Sequence, residues 1–131
     1  MILNEKLLKN TKYGKYIDAR YKTLWTGSWN SGSITVQDIN KYNSIIVMVD
    51  TNDPITCYRS NSGNNFRGSI IIGGASTSNQ YAKLFDCTVN GNTLTWNVAK
   101  ELGHNASGNH NAGSSKTVSK IIGLDPILNN L

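Results

Sequence analysis

Short strand-like runs recur along this chain about every twelve residues, separated by clusters of turn residues, a spacing typical of all-β domains. Asn, Ser, Thr and Gly supply 54 of the 131 residues, whereas charged residues make up only 16%. That composition excludes a coiled coil, and the length suits one domain. We therefore predict an all-β fold, an antiparallel β-sandwich or jelly roll of about eight strands.

The clearest strand signals lie in the middle of the chain. Ser44–Asp50 reads SIIVMVD, a near-continuous apolar run of strand length that predicts burial on both faces. Asn90-Gly91 is the strongest hairpin signal and favours positive φ at two residues. It joins predicted strands over 80–89 and 93–98.

Other segments predict a second hairpin, a long loop and further strands. Residues 21–29 and 33–37 flank the turn signal Asn30-Ser31-Gly32, and this pattern predicts a second hairpin. Residues 103–115 contain no large apolar side chain and predict a long loop, which in a compact domain is usually functional or disordered. Further strands are predicted over 55–59, 66–72 and 116–124.

Most of the excess positive charge lies at the N-terminus. Residues 1–22 carry six basic and two acidic side chains, whereas residues 23–131 carry a net charge of only +1. Leu3, Leu7 and Leu8 lie at helical spacing, which predicts a short helical or extended arm. We predict an attachment arm over 1–22 and a β-sandwich domain over 23–131. Nucleic-acid binding by the arm is an alternative that no DNA- or RNA-binding motif supports.

Three features of the sequence bear on the cellular setting. Glu5 and Lys9 interrupt any early apolar run, so we expect no signal peptide. The longest apolar run, Ile45–Val49, is far short of the ~20 residues of a membrane span, so no membrane contact is predicted. Cys57 and Cys87 each lie within an apolar run and are predicted to be buried free thiols.

The sequence carries no recognised catalytic or metal-binding motif. The chain has no nucleophile elbow, zinc-protease helix, phosphate-binding loop or dinucleotide fingerprint, so we predict a protein that is not an enzyme and has no cofactor. A small glycan hydrolase using Asp50, Asp53 or Glu101 is an alternative, because glycoside hydrolysis needs two carboxylates. His104 and His110 are too few to hold a metal, although a symmetric trimer would bring several imidazoles to its axis.

Aromatic and polar residues near the loops predict a ligand site. Sugar rings stack on exposed Trp and Tyr side chains, while Asn and Arg form hydrogen bonds with hydroxyl groups. Residues 58–65 combine these types, and the loop at 103–115 adds the two histidines. Trp25 and Trp96 are predicted to be core residues. The predicted ligand-binding residues are Trp29, Tyr58, Arg59, Asn61, Asn64, His104 and His110.

Three segments, TLWTGS at 23–28, GSITV at 32–36 and KYNSIIV at 41–47, form an ordered pattern of strands. Together with VSKIIG at 118–123, the pattern resembles the C-terminal β-domains of tail-fibre, baseplate and other minor structural proteins of phages and prophages of Gram-positive bacteria. The resemblance implies a receptor-binding tip, a homotrimer that attaches to bacterial-surface glycan, with residues 1–22 joining other tail proteins. It also implies a virion tail protein, made in the host cytoplasm and released by lysis. A free-standing bacterial lectin or carbohydrate-binding module is the alternative.

Overall fold

The computed structural model of the chain describes residues 11–50, 53–73, 79–105 and 114–131. These residues form one α-helix, nine β-strands and two 3₁₀ turns, which confirms the all-β prediction. The elements are α1 (Lys12–Ala19), β1 (Lys22–Trp29), β2 (Ser33–Thr35), a 3₁₀ turn (Ile39–Lys41), β3 (Tyr42–Val49), β4 (Asp53–Arg59), β5 (Asn65–Gly73), β6 (Asn79–Asn90), β7 (Thr93–Asn105), β8 (Ser114–Ser115), β9 (Val118–Pro126) and a second 3₁₀ turn (Leu128–Asn130). 

All of the strand pairs are antiparallel, and they form one continuous sheet in the order β1-β9-β3-β4-β5-β6-β7-β2, with β8 on β7. The sheet is nearly closed into a barrel. Its two edge strands, β1 and β2, are joined by residues 30–32. Trp96 on β7 donates its backbone N–H to the carbonyl of Gly32 at 2.9 Å, so this connection ends beside β7, near the edge of the sheet opposite to β1.

The predicted hairpin between residues 21–29 and 33–37 is wrong. β1 pairs with β9, whereas β2 pairs with β7 at the opposite edge. A turn signal specifies only that the chain changes direction; it does not specify which strand becomes the neighbour. Here Gly32, at φ +67°, carries the chain from one edge to the other.

The predicted β6–β7 hairpin is confirmed, with Asn90 paired to Thr93. The two turn residues are Gly91 and Asn92, and of these only Gly91 has a positive φ, at +59°. A glycine at the first central position of a two-residue turn matches the twist of the flanking strands. The turn is therefore shifted by one residue from the predicted Asn90-Gly91 pair.

The predicted loop over 103–115 begins later than expected. Gly103–Asn105 extends β7 and pairs with residues 79–81 of β6. Small polar side chains do not prevent this pairing, because the backbone groups make the hydrogen bonds. Ser114–Ser115 forms the short strand β8 against Lys100 and Glu101. Residues 106–113 lie outside the described part of the chain.

The core is built from the inward-facing residues of seven strands and of the segment between β2 and β3. Fully or nearly fully buried side chains include Trp29, Val36, Ile39, Tyr42, Ile45, Val47, Val49, Ile55, Cys57, Phe66, Phe85, Cys87, Val89, Leu94, Ala99, Val118 and Ile121. On β3, Ile45 and Val47 are fully buried, but Ile46 and Met48 on the outer face are only half-buried. The predicted burial on both faces of β3 is therefore incomplete, because the core packs against the inner face of the sheet and leaves the outer face of β3 partly exposed.

An aromatic cluster fills the core beside β1 and β7. The Trp29 ring is edge-on to Trp96, Phe85 and Trp25, with centroid separations of 5.1, 5.7 and 6.4 Å. Trp25 and Trp96 are predicted to be core residues; they are half-buried and pack against the core without being part of it. Cys57 and Cys87 are buried free thiols, as predicted.

The described part of the N-terminal arm packs on the barrel. Thr11 caps α1 by accepting a hydrogen bond from the Gly14 N–H at 3.0 Å. The buried Tyr42 hydroxyl donates to the carbonyl of Ala19 at 2.7 Å, and the Tyr16 hydroxyl donates to Asp125 at 3.2 Å. The helical spacing of Leu3, Leu7 and Leu8 falls outside the described residues. In the described ranges no helix has the length and apolar character needed to cross a bilayer.

Candidate functional site

An exposed tyrosine and a set of polar side chains lie in a row across the outer face of β4, β5, β6 and β7. Tyr58 pairs with Arg67, and Arg67 pairs with Asp86. A β-bulge in β7 opposite Asp86 leaves Asn97 as the extra residue, and its side chain reaches Asp86. We call the outward-facing set Tyr58, Asn65, Arg67, Asp86, Thr88 and Asn97 the β4–β7 face.

Asp86 is the centre of the hydrogen bonds on the β4–β7 face. Its Oδ2 accepts from Arg67 Nε at 2.8 Å, and its Oδ1 accepts from Asn65 Nδ2 at 3.1 Å and from Asn97 Nδ2 at 3.0 Å. Asn97 Nδ2 also donates to Thr88 Oγ1 at 3.0 Å. These contacts hold the side chains in place before any ligand arrives, which lowers the entropy lost on binding.

The β4–β7 face presents an aromatic ring beside fixed donors and acceptors. Tyr58 is 64% exposed, and the Arg67 side chain is 62% exposed, so both are open to solvent. The Arg67 guanidinium has donors beyond the Nε–H that Asp86 accepts, and an ionised carboxylate has about four acceptor positions, of which Asp86 uses three here. Such a surface can stack on an apolar ring face while it forms hydrogen bonds with hydroxyl groups at the ring edge.

Three of the predicted ligand residues lie at this face or beside it. Tyr58 is part of it, and Asn61 and Asn64 are exposed in the turn that leads into β5. The turn is closed by the Ser60 N–H, which donates to the Asn65 carbonyl at 2.8 Å, and Gly63 adopts φ +78°. The structure therefore brings part of the predicted 58–65 region together at one surface.

Trp29 and Arg59 have other roles, and their assignment to ligand binding is corrected here. Trp29 is only 2% exposed, and its indole N–H donates to the Gly32 carbonyl at 3.3 Å. Arg59 directs its guanidinium toward the protein, where it donates to the carbonyls of Ile39, Tyr42 and Gly63. Burial lowers the pKa of the Arg59 guanidinium.

The two histidines are not part of the described surface. The backbone of His104 belongs to β7 and pairs with Gln80, but its side chain lies outside the described part of the structure. His110 lies outside the described residues altogether. Their predicted roles in ligand binding stay predictions.

The sequence reasoning missed Arg67, Asp86, Thr88 and Asn97 as members of one site. Alternation on β6 signals the outward direction of Asp86, because Phe85 and Cys87 face the core. No local signal places Asp86 beside Arg67, since the two residues lie 19 positions apart in the chain. The bulge that presents Asn97 also has no sequence signature.

A second cluster surrounds Lys83, on the inner face of β6, close to the residues that join β3 to β4. The Lys83 ammonium contacts Asp53 and lies 3.2 Å from Asp50 and 3.5 Å from Glu101. Lys116 lies 3.7 Å from Asp50 and 3.4 Å from Glu101. The three acids of the hydrolase alternative thus lie together, with Lys83 in contact with all of them.

The charges in this lysine–carboxylate cluster act on one another. Burial raises the pKa of Asp50, but the hydrogen bond from Lys83 and the charges of Lys116 and Lys83 outweigh it and hold the pKa below its ordinary value. Asp50 is therefore an ionised carboxylate at neutral pH and not a proton donor for glycoside hydrolysis. No group of three or more His, Cys, Asp or Glu side chains within the described ranges is arranged to hold a metal ion.

A cleft of about 170 Å³ separates α1 from the first 3₁₀ turn. Its walls mix basic and acidic side chains, which include Lys15, Lys22, Asp18 and Asp38. Because three lysines and two aspartates line this cleft together, neither sign of charge prevails strongly enough to favour an anion or a cation. The β4–β7 face is the better-defined candidate for binding.

Comparison of the chain with known protein families, with curated proteins and with solved structures finds no match. 

Proposed function

We propose that this chain is a non-enzymatic adhesion module that binds bacterial-surface carbohydrate through the β4–β7 face. The observation that carries the proposal is the 64% exposed ring of Tyr58 next to the Arg67–Asp86 pair. Tyrosine and tryptophan are enriched at binding interfaces, because each combines an apolar ring with a polar group. The neighbouring polar groups are already ordered by their mutual hydrogen bonds.

The charge balance of the face favours a neutral glycan. Arg67 and Asp86 neutralise each other, and the other polar members, Asn65, Thr88 and Asn97, carry no charge. Sugar hydroxyls both donate and accept hydrogen bonds, as these side chains require. Asn61 and Asn64, exposed in the adjacent turn, extend the same surface with further amide groups.

We place this binding function in a phage or prophage tail, on the strength of the resemblance in segments 23–28, 32–36, 41–47 and 118–123. A homotrimer would present three copies of the face, and multivalency multiplies the avidity of weak single-site contacts by orders of magnitude. Residues 1–22 would join other tail proteins. The mass of the chain in solution tests this assembly, since a monomer favours a free-standing lectin instead.

The test of carbohydrate binding uses purified protein on an array of bacterial-surface polysaccharides and on intact Gram-positive cells. The Tyr58→Ala variant should lose roughly tenfold or more in affinity, equivalent to about 1.4 kcal/mol. Tyr13→Ala is the matched control, because Tyr13 is 67% exposed but lies on α1. Wild-type protein that binds no polysaccharide and no cells, or a Tyr58→Ala variant that binds as well as wild type, contradicts the proposal.

The hydrolase alternative has a separate test. Asp50, Asp53 and Glu101 do lie together, but each contacts the Lys83 ammonium. Polysaccharide cleavage by the wild type that is lost in Asp53→Asn and Glu101→Gln variants would favour an enzyme. We expect no cleavage by the wild-type chain.

A further inference from the structure

Lys83 occupies a position that lysine seldom takes. It lies on the inner face of β6, two residues before the buried Phe85, and its side chain is only 7% exposed. Lysine is almost never this buried unless it is paired, because its ammonium loses hydration. Here it contacts three carboxylates, those of Asp50, Asp53 and Glu101.

We propose that Lys83 and Asp53 form an intramolecular amide bond between their side chains, with Glu101 as the group that transfers protons. Such a bond would tie β4 to β6 across β5, joining residues 30 positions apart. This inference rests on the lysine–carboxylate cluster alone and does not depend on carbohydrate binding.

The reaction needs only groups present in the cluster. A proton passes from the Lys83 ammonium by way of Glu101 to the Asp53 carboxylate, which leaves a neutral amine and a neutral carboxylic acid. The amine lone pair attacks Asp53 Cγ and forms the C–N bond. Glu101 takes a proton from the attached nitrogen and delivers it to the hydroxyl on Cγ. The C–O bond breaks, one water molecule leaves, and Glu101 is again a carboxylate.

Strand pairing positions the reacting groups. Lys83 and Glu101 are direct cross-strand partners on β6 and β7, and Asp53 is fixed by its pairing with Val49 at the start of β4. Groups held in contact by a fold react with effective molarities of about 10⁵–10⁸ M, which offsets the tendency of an amide to hydrolyse in water.

The acceptor is Asp53 and not Asp50 for two reasons. Asp50 shares its Oδ2 between Lys83 and Lys116, so it already serves a second cation. The Asp50 side chain is also more exposed, at 41% against 30% for Asp53. After the bond forms, Lys116 still neutralises part of the charge of Asp50 and Glu101. Because the amide removes one positive and one negative charge, the net charge of the cluster is unchanged.

Burial and ion pairing act in opposite directions on the nucleophile. Burial lowers the pKa of Lys83, but its hydrogen bonds to Asp53 and Asp50 and their charges outweigh burial and raise it. A carboxylate that removes the proton is therefore required, and Glu101 supplies it. Converting the Lys83–Asp53 ion pair to a neutral amide also removes the charge of the nearly buried Lys83 ammonium, whose side chain is only 7% exposed.

The experiment is intact mass spectrometry of the denatured, full-length chain. The wild type should be lighter than its sequence mass by one water molecule. The variants Lys83→Arg, Asp53→Ala and Glu101→Gln should have their full sequence masses. Lys116→Arg is the matched control, because it keeps the positive charge beside Asp50 and Glu101 and replaces none of the three reacting residues, and it should keep the loss of water.

Peptide mapping locates the bond. A branched tryptic peptide that joins the segments containing Asp53 and Lys83 supports the proposal. Wild-type protein at full sequence mass overturns it, and this measurement holds even if a variant fails to fold. A loss of water without a branched peptide, or a branch at Asp50, also overturns the assignment.

Discussion

Arg59 on β4 donates two hydrogen bonds to the carbonyl of Tyr42 at the start of β3, from Nε at 3.1 Å and from Nη2 at 2.9 Å. The same guanidinium donates to the carbonyls of Ile39 at 3.1 Å and Gly63 at 3.0 Å. It also lies 4.6 Å above the centroid of the Phe66 ring. One side chain therefore connects the first 3₁₀ turn, β3 and the turn before β5.

Replacing Arg59 by lysine should destabilise the fold by about 2–3 kcal/mol, because lysine keeps the charge but cannot reach three carbonyls from one planar group. Urea unfolding followed by tryptophan fluorescence measures the change. Arg67→Lys is the control, since the Arg67 side chain is 62% exposed, and it should change stability by less than about 1 kcal/mol. Equal losses in the two variants would contradict a structural role for Arg59.

Trp29→Ala should cost about 3–5 kcal/mol of folding free energy, because it empties the centre of the aromatic cluster. Tyr58→Ala should change stability by no more than about 0.5 kcal/mol, since the Tyr58 ring is exposed. Thermal unfolding of both variants, together with near-ultraviolet circular dichroism, tests the contrast. A Trp29→Ala variant as stable as the wild type would show that the ring is not a core residue.

Gly68→Ala should destabilise the barrel by about 1–3 kcal/mol. An added Cβ at Gly68 would meet the backbone carbonyl of Thr56 and approach Ile55 Cγ2 to 2.9 Å, so β4 and β5 would have to move apart. Ser69→Ala, at the next position and on an exposed side chain, is the control and should be close to neutral. Urea midpoints that fall together in both variants would argue against a close backbone contact at Gly68.

Asp50 should make stability depend on acid pH. Its pKa lies below the ordinary value of 3.8, so its contribution is fully present above that value and is lost as the pH falls through the lowered pKa. Unfolding free energies measured from neutral pH downward should decline less steeply in Asp50→Asn. Asparagine suits the site because the residue adopts φ +55°, a conformation that Asp and Asn both tolerate.

Two lysine variants control this pH measurement. Lys116→Met should also flatten the acid decline, because the Lys116 charge helps to lower the pKa of Asp50. Lys120→Met should not, since Lys120 lies exposed on β9 and is not part of the cluster. If Asp50→Asn follows the wild-type pH profile, the ion pairs of Asp50 do not contribute to stability.

The local pattern of side chains determined the strands and their inner faces. The apolar run over Ser44–Asp50 and the turn signal at Asn90-Gly91 predicted β3 and the β6–β7 hairpin correctly, because strand propensity and turn geometry depend on neighbouring residues. The apolar surroundings of Cys57 and Cys87 likewise predicted buried thiols. On β6, the alternation that buries Phe85 and Cys87 also places Lys83 on the inner face.

Only the tertiary structure decided which strands became neighbours. β1 pairs with β9 instead of β2, Trp29 enters the core, and the guanidinium of Arg59 turns toward three backbone carbonyls. Register across strands brings Asp86 to Arg67 and Lys83 to Glu101. These pairings depend on closing the sheet around one core. The free energy that favours closure comes from contacts between distant parts of the chain, and no short segment specifies those contacts.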